Sequence, residues 1–89
     1  MSLKFRILDS FKSAGDELTI KEIMNRTGCT DIVNLAPLLL DMDKLEHATR
    51  VIIPDGATHY FSELVQVPLE IDGHRLLLED VQMVFRRKV

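Results

Sequence analysis

The sequence predicts a small α+β protein in which three helices are followed by two β-hairpins. Apolar residues recur at steps of three and four as far as His47, which is the period of amphipathic helices. Beyond His47, β-branched residues are separated by Pro-Asp-Gly and by Asp-Gly, which are turn signals between strands. The 89 residues suffice for one modest hydrophobic core, so we expect a single domain over residues 1–89. Residues 4–62 would form the helices and the first hairpin, and residues 63–89 a C-terminal β-hairpin extension.

Composition limits the class of protein. Hydrophobic residues make up 46% of the chain and charged residues 28%, which is typical of an ordered globular domain. The single cysteine, Cys29, cannot form an internal disulfide, which favours a reducing compartment and predicts a cytoplasmic protein. No apolar run approaches the roughly 20 residues that cross a bilayer, so no membrane partner is expected. The 14 acidic side chains outnumber the 11 basic ones, and this balance argues weakly against nucleic acid as a partner.

Residues that could carry catalysis or hold a cofactor form no recognisable pattern. His47, His59 and His74 are far apart in the chain, and no cluster of histidine, cysteine and aspartate has metal-ligand spacing. Each of the four glycines is explained by a turn or a helix end, so no glycine-rich phosphate loop is present. We therefore expect no metal, no cofactor and no enzymatic activity.

The first helix is predicted from a three-residue repeat. Phe5, Leu8 and Phe11 lie on one face of a helix that runs from Lys4 to Ala14. Gly15 follows this segment and tolerates the left-handed backbone that often ends a helix. The predicted helix therefore stops at Ala14.

The second helix has a start signal and a stop signal. Thr19 and Glu22 form a Thr-x-x-Glu capping box, in which each side chain accepts a hydrogen bond from an amide at the helix start. The helix is predicted from about Ile20 to Thr27, and Gly28 ends it. The next residues would form a turn to the third helix.

The third helix is placed by a proline. Pro37 fits the first turn of a helix, because its missing amide hydrogen is not needed there. Asn34 as the N-cap puts Pro37 in that turn and predicts a helix from Leu35 to about His47. A start at Thr30 with a kink is the alternative. The expected core stripe of this helix is Leu38, Met42 and Leu45.

Two hairpins are predicted after the helices. Residues 51–53 and 58–61 would pair across the turn at residues 54–57. Asp72-Gly73 is a strong two-residue hairpin signal within residues 65–78. That turn predicts the following pairs: Ile71 with His74, Glu70 with Arg75, Leu69 with Leu76, and Val67 with Leu78. Residues 79–88 fit a strand or a helix, and the pattern does not decide between them.

Two segments resemble winged helix-turn-helix proteins of the bacterial regulator type. Residues 45–51, followed by the first hairpin, resemble the end of the recognition helix and the wing, and residues 18–23 with Gly28 resemble the second helix and its turn. The resemblance implies three helices plus a β-hairpin wing, and a dimeric transcriptional regulator that binds double-stranded DNA. Two features depart from the pattern. Thr49 stands where the family usually has glycine, and the distance from Gly28 to Leu45 is about one helical turn longer than usual.

The resemblance places four residues in the major groove of DNA, and their side chains do not suit base reading. These residues are Pro37, Leu39, Leu40 and Asp41. Base edges are read by side chains that place hydrogen-bond donors and acceptors at the right spacing, and a carboxylate is repelled by phosphates. The basic cluster at residues 86–88 and seven other residues remain as candidates for DNA contact. The seven are Lys21, Arg26, Thr30, Asn34, Lys44, Arg50 and His59.

The run of leucines at residues 38–40 supports a second function. Successive helix residues point about 100° apart, so three leucines cannot all enter one core. We therefore expect Leu39 and Leu40 to form an interface with a second copy or another protein, unless the C-terminal hairpin covers them. The sequence thus leaves two functions open, namely a DNA-binding regulator and a protein-interaction or assembly module that does not bind DNA.

Overall fold

The computed structural model describes residues 2–12, 15–54 and 56–88, and it confirms an α+β protein. The helices are α1 (Leu3–Ser10), α2 (Ile20–Thr27) and α3 (Ile32–Asp41). The strands are β1 (Glu17–Thr19), β2 (Leu45–Ile52), β3 (Thr58–Phe61), β4 (Glu70–Ile71), β5 (His74–Arg75) and β6 (Val81–Arg87). Two short 3-10 turns cover Leu64–Gln66 and Leu78–Asp80.

Helix α1 is shorter than the helix that the three-residue repeat of apolar residues predicts. It begins after Ser2, whose hydroxyl accepts a hydrogen bond from the Phe5 amide at 3.3 Å, and it ends at Ser10. Phe11 follows with an extended backbone, and its amide donates to the Leu8 carbonyl. The predicted end at Ala14 lies outside the described residues.

Helix α2 has the predicted bounds and caps. The Thr19 hydroxyl accepts from the Glu22 amide at 3.2 Å, and the Glu22 carboxylate accepts from the Thr19 amide at 3.1 Å. Gly28 has a φ of 74°, and its amide donates to the Met24 carbonyl at 2.9 Å. The local start and stop signals therefore determined this helix.

The preferred bounds of the third helix, Leu35 to about His47, were wrong at both ends, and the observed start is closer to the alternative at Thr30. Helix α3 begins at Ile32, because the Asp31 carboxylate accepts from the amides of Val33 and Asn34 at 3.1 and 3.3 Å. A negative charge at this end is also favoured by the helix dipole. Pro37 consequently lies inside the helix and not in its first turn.

Residues 45–50 form a strand where the sequence predicted the end of a helix and a loop. In strand β2, Arg50 pairs with Tyr60 of β3 and Ile52 with Thr58, in antiparallel register. The first hairpin is thus confirmed, but its first strand starts at Leu45, six residues before the predicted start. Pairing with another strand outweighed the weak helical pattern of this segment.

The long sheet has four strands in the order β1-β6-β2-β3. Strand β1, which the sequence did not predict, pairs antiparallel with β6, and Leu18 lies opposite Phe85. The open question about residues 79–88 is thereby answered, because Val81–Arg87 is a strand.

The second hairpin forms around the predicted turn. Glu70 pairs with Arg75 and Ile71 with His74, and the Leu76 amide donates to the Leu69 carbonyl at 3.0 Å. The predicted pairing of Val67 with Leu78 is wrong. Leu78 begins a 3-10 turn, and Val67 directly follows the other one.

Packing divides the chain into two units. The helical unit comprises Met1–His47 and Val84–Val89, and the hairpin unit comprises Ala48–Met83. The core of the helical unit consists of Ile7, Phe11, Leu18, Ile23, Leu35, Leu39, Met42, Leu45 and Phe85. Two of the three predicted stripe residues are buried there, whereas Leu38 is half-buried. In the hairpin unit, the buried residues among those described are Thr49, Val51 and Ile53.

Candidate functional site

The seven predicted DNA contacts are divided between the two units. Lys21, Arg26, Thr30, Asn34 and Lys44 are exposed in the helical unit, and Arg50 and His59 are half-buried in the hairpin unit. Some of these side chains already donate hydrogen bonds to other groups of the protein. Arg26 Nη1 donates to the Ser10 carbonyl at 2.9 Å, and the side-chain nitrogen Nδ2 of Asn34 donates to Asp31 Oδ2 at 2.5 Å. Arg50 Nη2 donates to Gln82 Oε1 at 2.8 Å.

The exposed face of α3 is apolar. Val33 is 77% exposed, Leu40 52% and Ile32 50%, and Pro37 is exposed beside them. Leu39 is buried in the core at 1% exposure, so its predicted place in an interface or a DNA groove is wrong. Leu35 and Leu39 lie four residues apart on one face of α3, and this is the face that is buried in the core. Exposed aliphatic side chains offer no hydrogen bonds to base edges.

A second apolar surface lies in the hairpin unit, and we call it the leucine groove. Its volume is about 320 Å³. Its lining residues are Leu64, Val67, Pro68, Leu69, Arg75, Leu76, Leu77, Leu78 and Val81. Leu78 is 92% exposed and Leu69 83%, although both are large aliphatic side chains. Single exposed leucines are common on monomeric proteins, whereas several around one groove make this surface a candidate contact site.

The turns of the hairpin unit hold these leucines outward. Asp72 and Gly73 have φ values of 50° and 80°, and two positive φ values are the geometry of a type I′ hairpin turn. The 3-10 turn at Leu78–Asp80 is fastened by the Asp80 carboxylate, which accepts from the Leu77 amide at 2.8 Å. The same carboxylate oxygen lies 3.2 Å from His74 Nε2. A short turn leaves its side chains little room to fold back onto the chain.

One feature of the sequence indicates this groove, although the alternating pattern around it favours a regular hairpin. Residues 76–78 are three consecutive leucines, like residues 38–40. In a strand, neighbouring side chains point to opposite faces, so such a run cannot bury every leucine against one sheet face. The Asp72-Gly73 signal predicts a regular hairpin over these residues, and a regular hairpin does not predict the exposed surface.

The hairpin unit is strongly acidic. It contains two arginines, Arg50 and Arg75, and six carboxylates. The carboxylates are Asp55, Glu63, Glu70, Asp72, Glu79 and Asp80. Glu79 lines a shallow hollow together with Leu77 and Leu78. The helical unit differs in charge, since it has nine basic and eight acidic residues.

The pKa of Asp80 provides a test of the turn geometry. The hydrogen bond from the Leu77 amide, and next the one from His74, lower the pKa of Asp80 below its ordinary 3.8. The ionised carboxylate therefore stabilises the folded turn at pH values above the ordinary pKa of 3.8. This contribution is lost as the pH falls through the lowered pKa. We expect an NMR titration of the Asp80 carboxyl carbon to have its midpoint below 3.8.

The variant His74→Ala should raise the pKa of Asp80 only in part. The Leu77 amide is the larger cause of the lowering and remains in the variant. A midpoint at or above the ordinary value in the native protein would show that the carboxylate does not fasten this turn in solution.

Other site types gain no support from the described residues. Among residues 2–12, 15–54 and 56–88, no three His, Cys, Asp or Glu side chains are grouped to hold a metal. None of the helices in these ranges has the length and apolar character needed to cross a membrane. The chain matches no known family model, no curated protein and no solved structure.

Proposed function

We propose that this chain is a protein-interaction module built on a winged-helix scaffold, and that the leucine groove is its contact surface. The observation that carries the proposal is the exposure of Leu69 and Leu78 around one groove. Leaving such side chains in water forgoes roughly 1.5–3 kcal/mol each relative to burial. A partner that covers the groove recovers this free energy.

The net charge of the hairpin unit indicates the kind of partner. Carboxylates outnumber arginines six to two in this unit, and Glu79 lies directly beside Leu77 and Leu78, whereas the charged residue that lines the groove itself is Arg75. A second copy of the unit would bring like charges together, which opposes self-association. An amphipathic segment with an apolar face flanked by lysine or arginine complements both the apolar lining of the groove and the negative net charge of the unit. We therefore assign a basic amphipathic segment of another protein as the occupant.

The test uses two designed peptides of about 20 residues, long enough to form helices in water. One has a leucine face flanked by lysines, and the other has the same leucines flanked by glutamates. Titration calorimetry should show binding of the lysine peptide with a negative heat-capacity change, which is the mark of apolar burial. The glutamate peptide should bind at least about tenfold more weakly, because its charges repel those of the hairpin unit.

Sedimentation of the protein alone completes the test. A monomer is expected at concentrations at which the lysine peptide binds. Equal binding of both peptides would overturn the charge argument. A dimer that is lost in the variant Leu78→Lys would identify a second copy as the occupant and contradict the assignment of a basic partner.

DNA binding as a transcriptional regulator is the second candidate. It is favoured by the order of α2, a short turn and α3, with Lys21, Thr30 and Lys44 exposed in the same unit. The apolar face of α3 and the nearby Asp31 and Asp41 oppose it. Fluorescent duplex DNA titrated at about 50 mM salt should reveal even non-specific electrostatic binding. If DNA binds and the lysine peptide does not, the regulator is the better function.

A further inference from the structure

A second concavity, in the helical unit, is lined by cations. It has a volume of about 490 Å³ and lies where the C-terminal ends of α1 and α2 meet. Its lining residues are Arg6, Asp9, Ser10, Lys12, Arg26 and Thr27. Three of these six are basic and one is acidic, in a unit whose charges otherwise nearly balance. We call Arg6, Lys12 and Arg26 the cation cluster.

The two arginines are held in place by a reciprocal arrangement. Arg6 of α1 donates from Nη2 to the carbonyl of Thr27, the last residue of α2. Arg26 of α2 donates from Nη1 to the carbonyl of Ser10, the last residue of α1, at 2.9 Å. Basic side chains commonly cap helix ends in this way. Both guanidinium groups are thereby fixed at the same concavity.

Capping leaves most of the hydrogen-bonding capacity of these groups available. A guanidinium group has five N–H donors, and each of these bonds uses one nitrogen. Among the residues that the structure describes, no side chain of the cation cluster forms a salt bridge with a carboxylate, but the Asp16 carboxylate accepts a hydrogen bond from the backbone amide of Lys12 at 2.9 Å. Two fixed guanidinium groups and the exposed Lys12 side chain attract an anion to this hollow, although the negative C-terminal ends of α1 and α2 offset part of the attraction. Arginine favours the oxygens of phosphate because it can bind two at once.

We propose that the cation cluster binds the phosphate group of a small phosphorylated ligand. The site is independent of the leucine groove, since all of its residues belong to the helical unit. A small ligand fits better than duplex DNA for two reasons. Duplex DNA requires a continuous positive track for several phosphates. The remaining surface of this unit instead intersperses its cations with carboxylates such as Asp31, Asp41 and Asp43.

The test is a titration of ¹⁵N-labelled protein with inorganic phosphate and with pyrophosphate at low ionic strength. Saturable amide shifts are expected near Lys12 and Thr27, and sodium chloride at matched ionic strength should not produce them. Lys12→Gln should weaken phosphate binding roughly fivefold, the loss expected for one partly exposed charge pair. The Lys12 side chain has no described role in holding the helices, so this variant should fold normally.

Two further variants make the outcome decisive. Asp9→Asn removes the single carboxylate of the concavity and should tighten phosphate binding, a gain that a damaged fold cannot produce. Lys21→Gln removes an exposed cation of α2 outside the concavity and should leave binding unchanged. Equal losses in Lys12→Gln and Lys21→Gln, or no saturable shifts, would overturn the proposal. Binding of duplex DNA without binding of phosphate or pyrophosphate would also overturn it and assign the cluster to nucleic acid.

Discussion

Replacement of Phe85 by alanine is expected to lower the free energy of unfolding by about 3–5 kcal/mol. Phe85 is 1% exposed, lies opposite Leu18 in the pairing of β6 with β1, and contacts the ring of His47 at a centroid distance of 6.3 Å. Alanine would leave a cavity in the core of the helical unit, which the surrounding side chains can fill only in part. Small domains have total stabilities of about 5–15 kcal/mol, so this loss is a large fraction of the whole.

Urea denaturation followed by circular dichroism measures the change. Met83→Ala is the matched control, because Met83 lies in the same strand but is 40% exposed, and its loss should stay below about 1 kcal/mol. Leu18→Ala should also lower the free energy of unfolding substantially, since Leu18 lies opposite Phe85 across the paired strands. If Phe85→Ala and Met83→Ala cost the same, the placement of β6 in the core would be wrong.

Replacement of Leu78 by lysine is expected to weaken binding of the lysine peptide by more than about tenfold without unfolding the protein. Leu78 is almost fully exposed, so the substitution should change the free energy of unfolding by less than about 0.5 kcal/mol. The loss of binding has two sources. An apolar contact disappears from the leucine groove, and a positive charge repels the basic peptide.

Val65→Lys provides the control for this prediction. Val65 is also highly exposed, but it does not line the groove. Its replacement by lysine adds the same charge to the same unit as Leu78→Lys does. Calorimetric titration of both variants with the lysine peptide separates the local contact from the general charge effect. Equal weakening by the two substitutions would mean that the groove is not the site of contact.

Elements with local signals could be predicted from the sequence. The capping box of Thr19 and Glu22, together with Gly28, determines α2, because all of its defining hydrogen bonds join residues a few positions apart. The hairpin turn at Asp72 and Gly73 is determined for the same reason. In both cases the free energy that defines the structure comes from neighbours in the chain.

The candidate site was predicted less well. Leu40 is exposed on α3 as expected, but Leu39 is buried. The helix ends at Asp41, so Met42 and Leu45 of the predicted stripe lie outside it, and its buried face is formed by Leu35 and Leu39 instead. Asp31 and Asn34 are both good N-caps, and the sequence provided no measure of which one would be used. The exposure of Leu69 and Leu78 depended on where two 3-10 turns interrupted the strands.

The remaining features required contacts between distant residues. Leu18 and Phe85 are far apart in the chain, and no local pattern around either residue predicts that the two strands pair. Residues 45–50 carry a mixed pattern that fits a helix or a strand, and the place of β2 between β6 and β3 in the sheet decides that they form a strand. Local signals in the sequence thus predicted the α+β class of the fold, the second helix and the hairpin turn at Asp72 and Gly73. The sheet order, the end of α3 and the two surfaces that could bind a ligand followed from packing, because their free energy comes from contacts that no short segment contains.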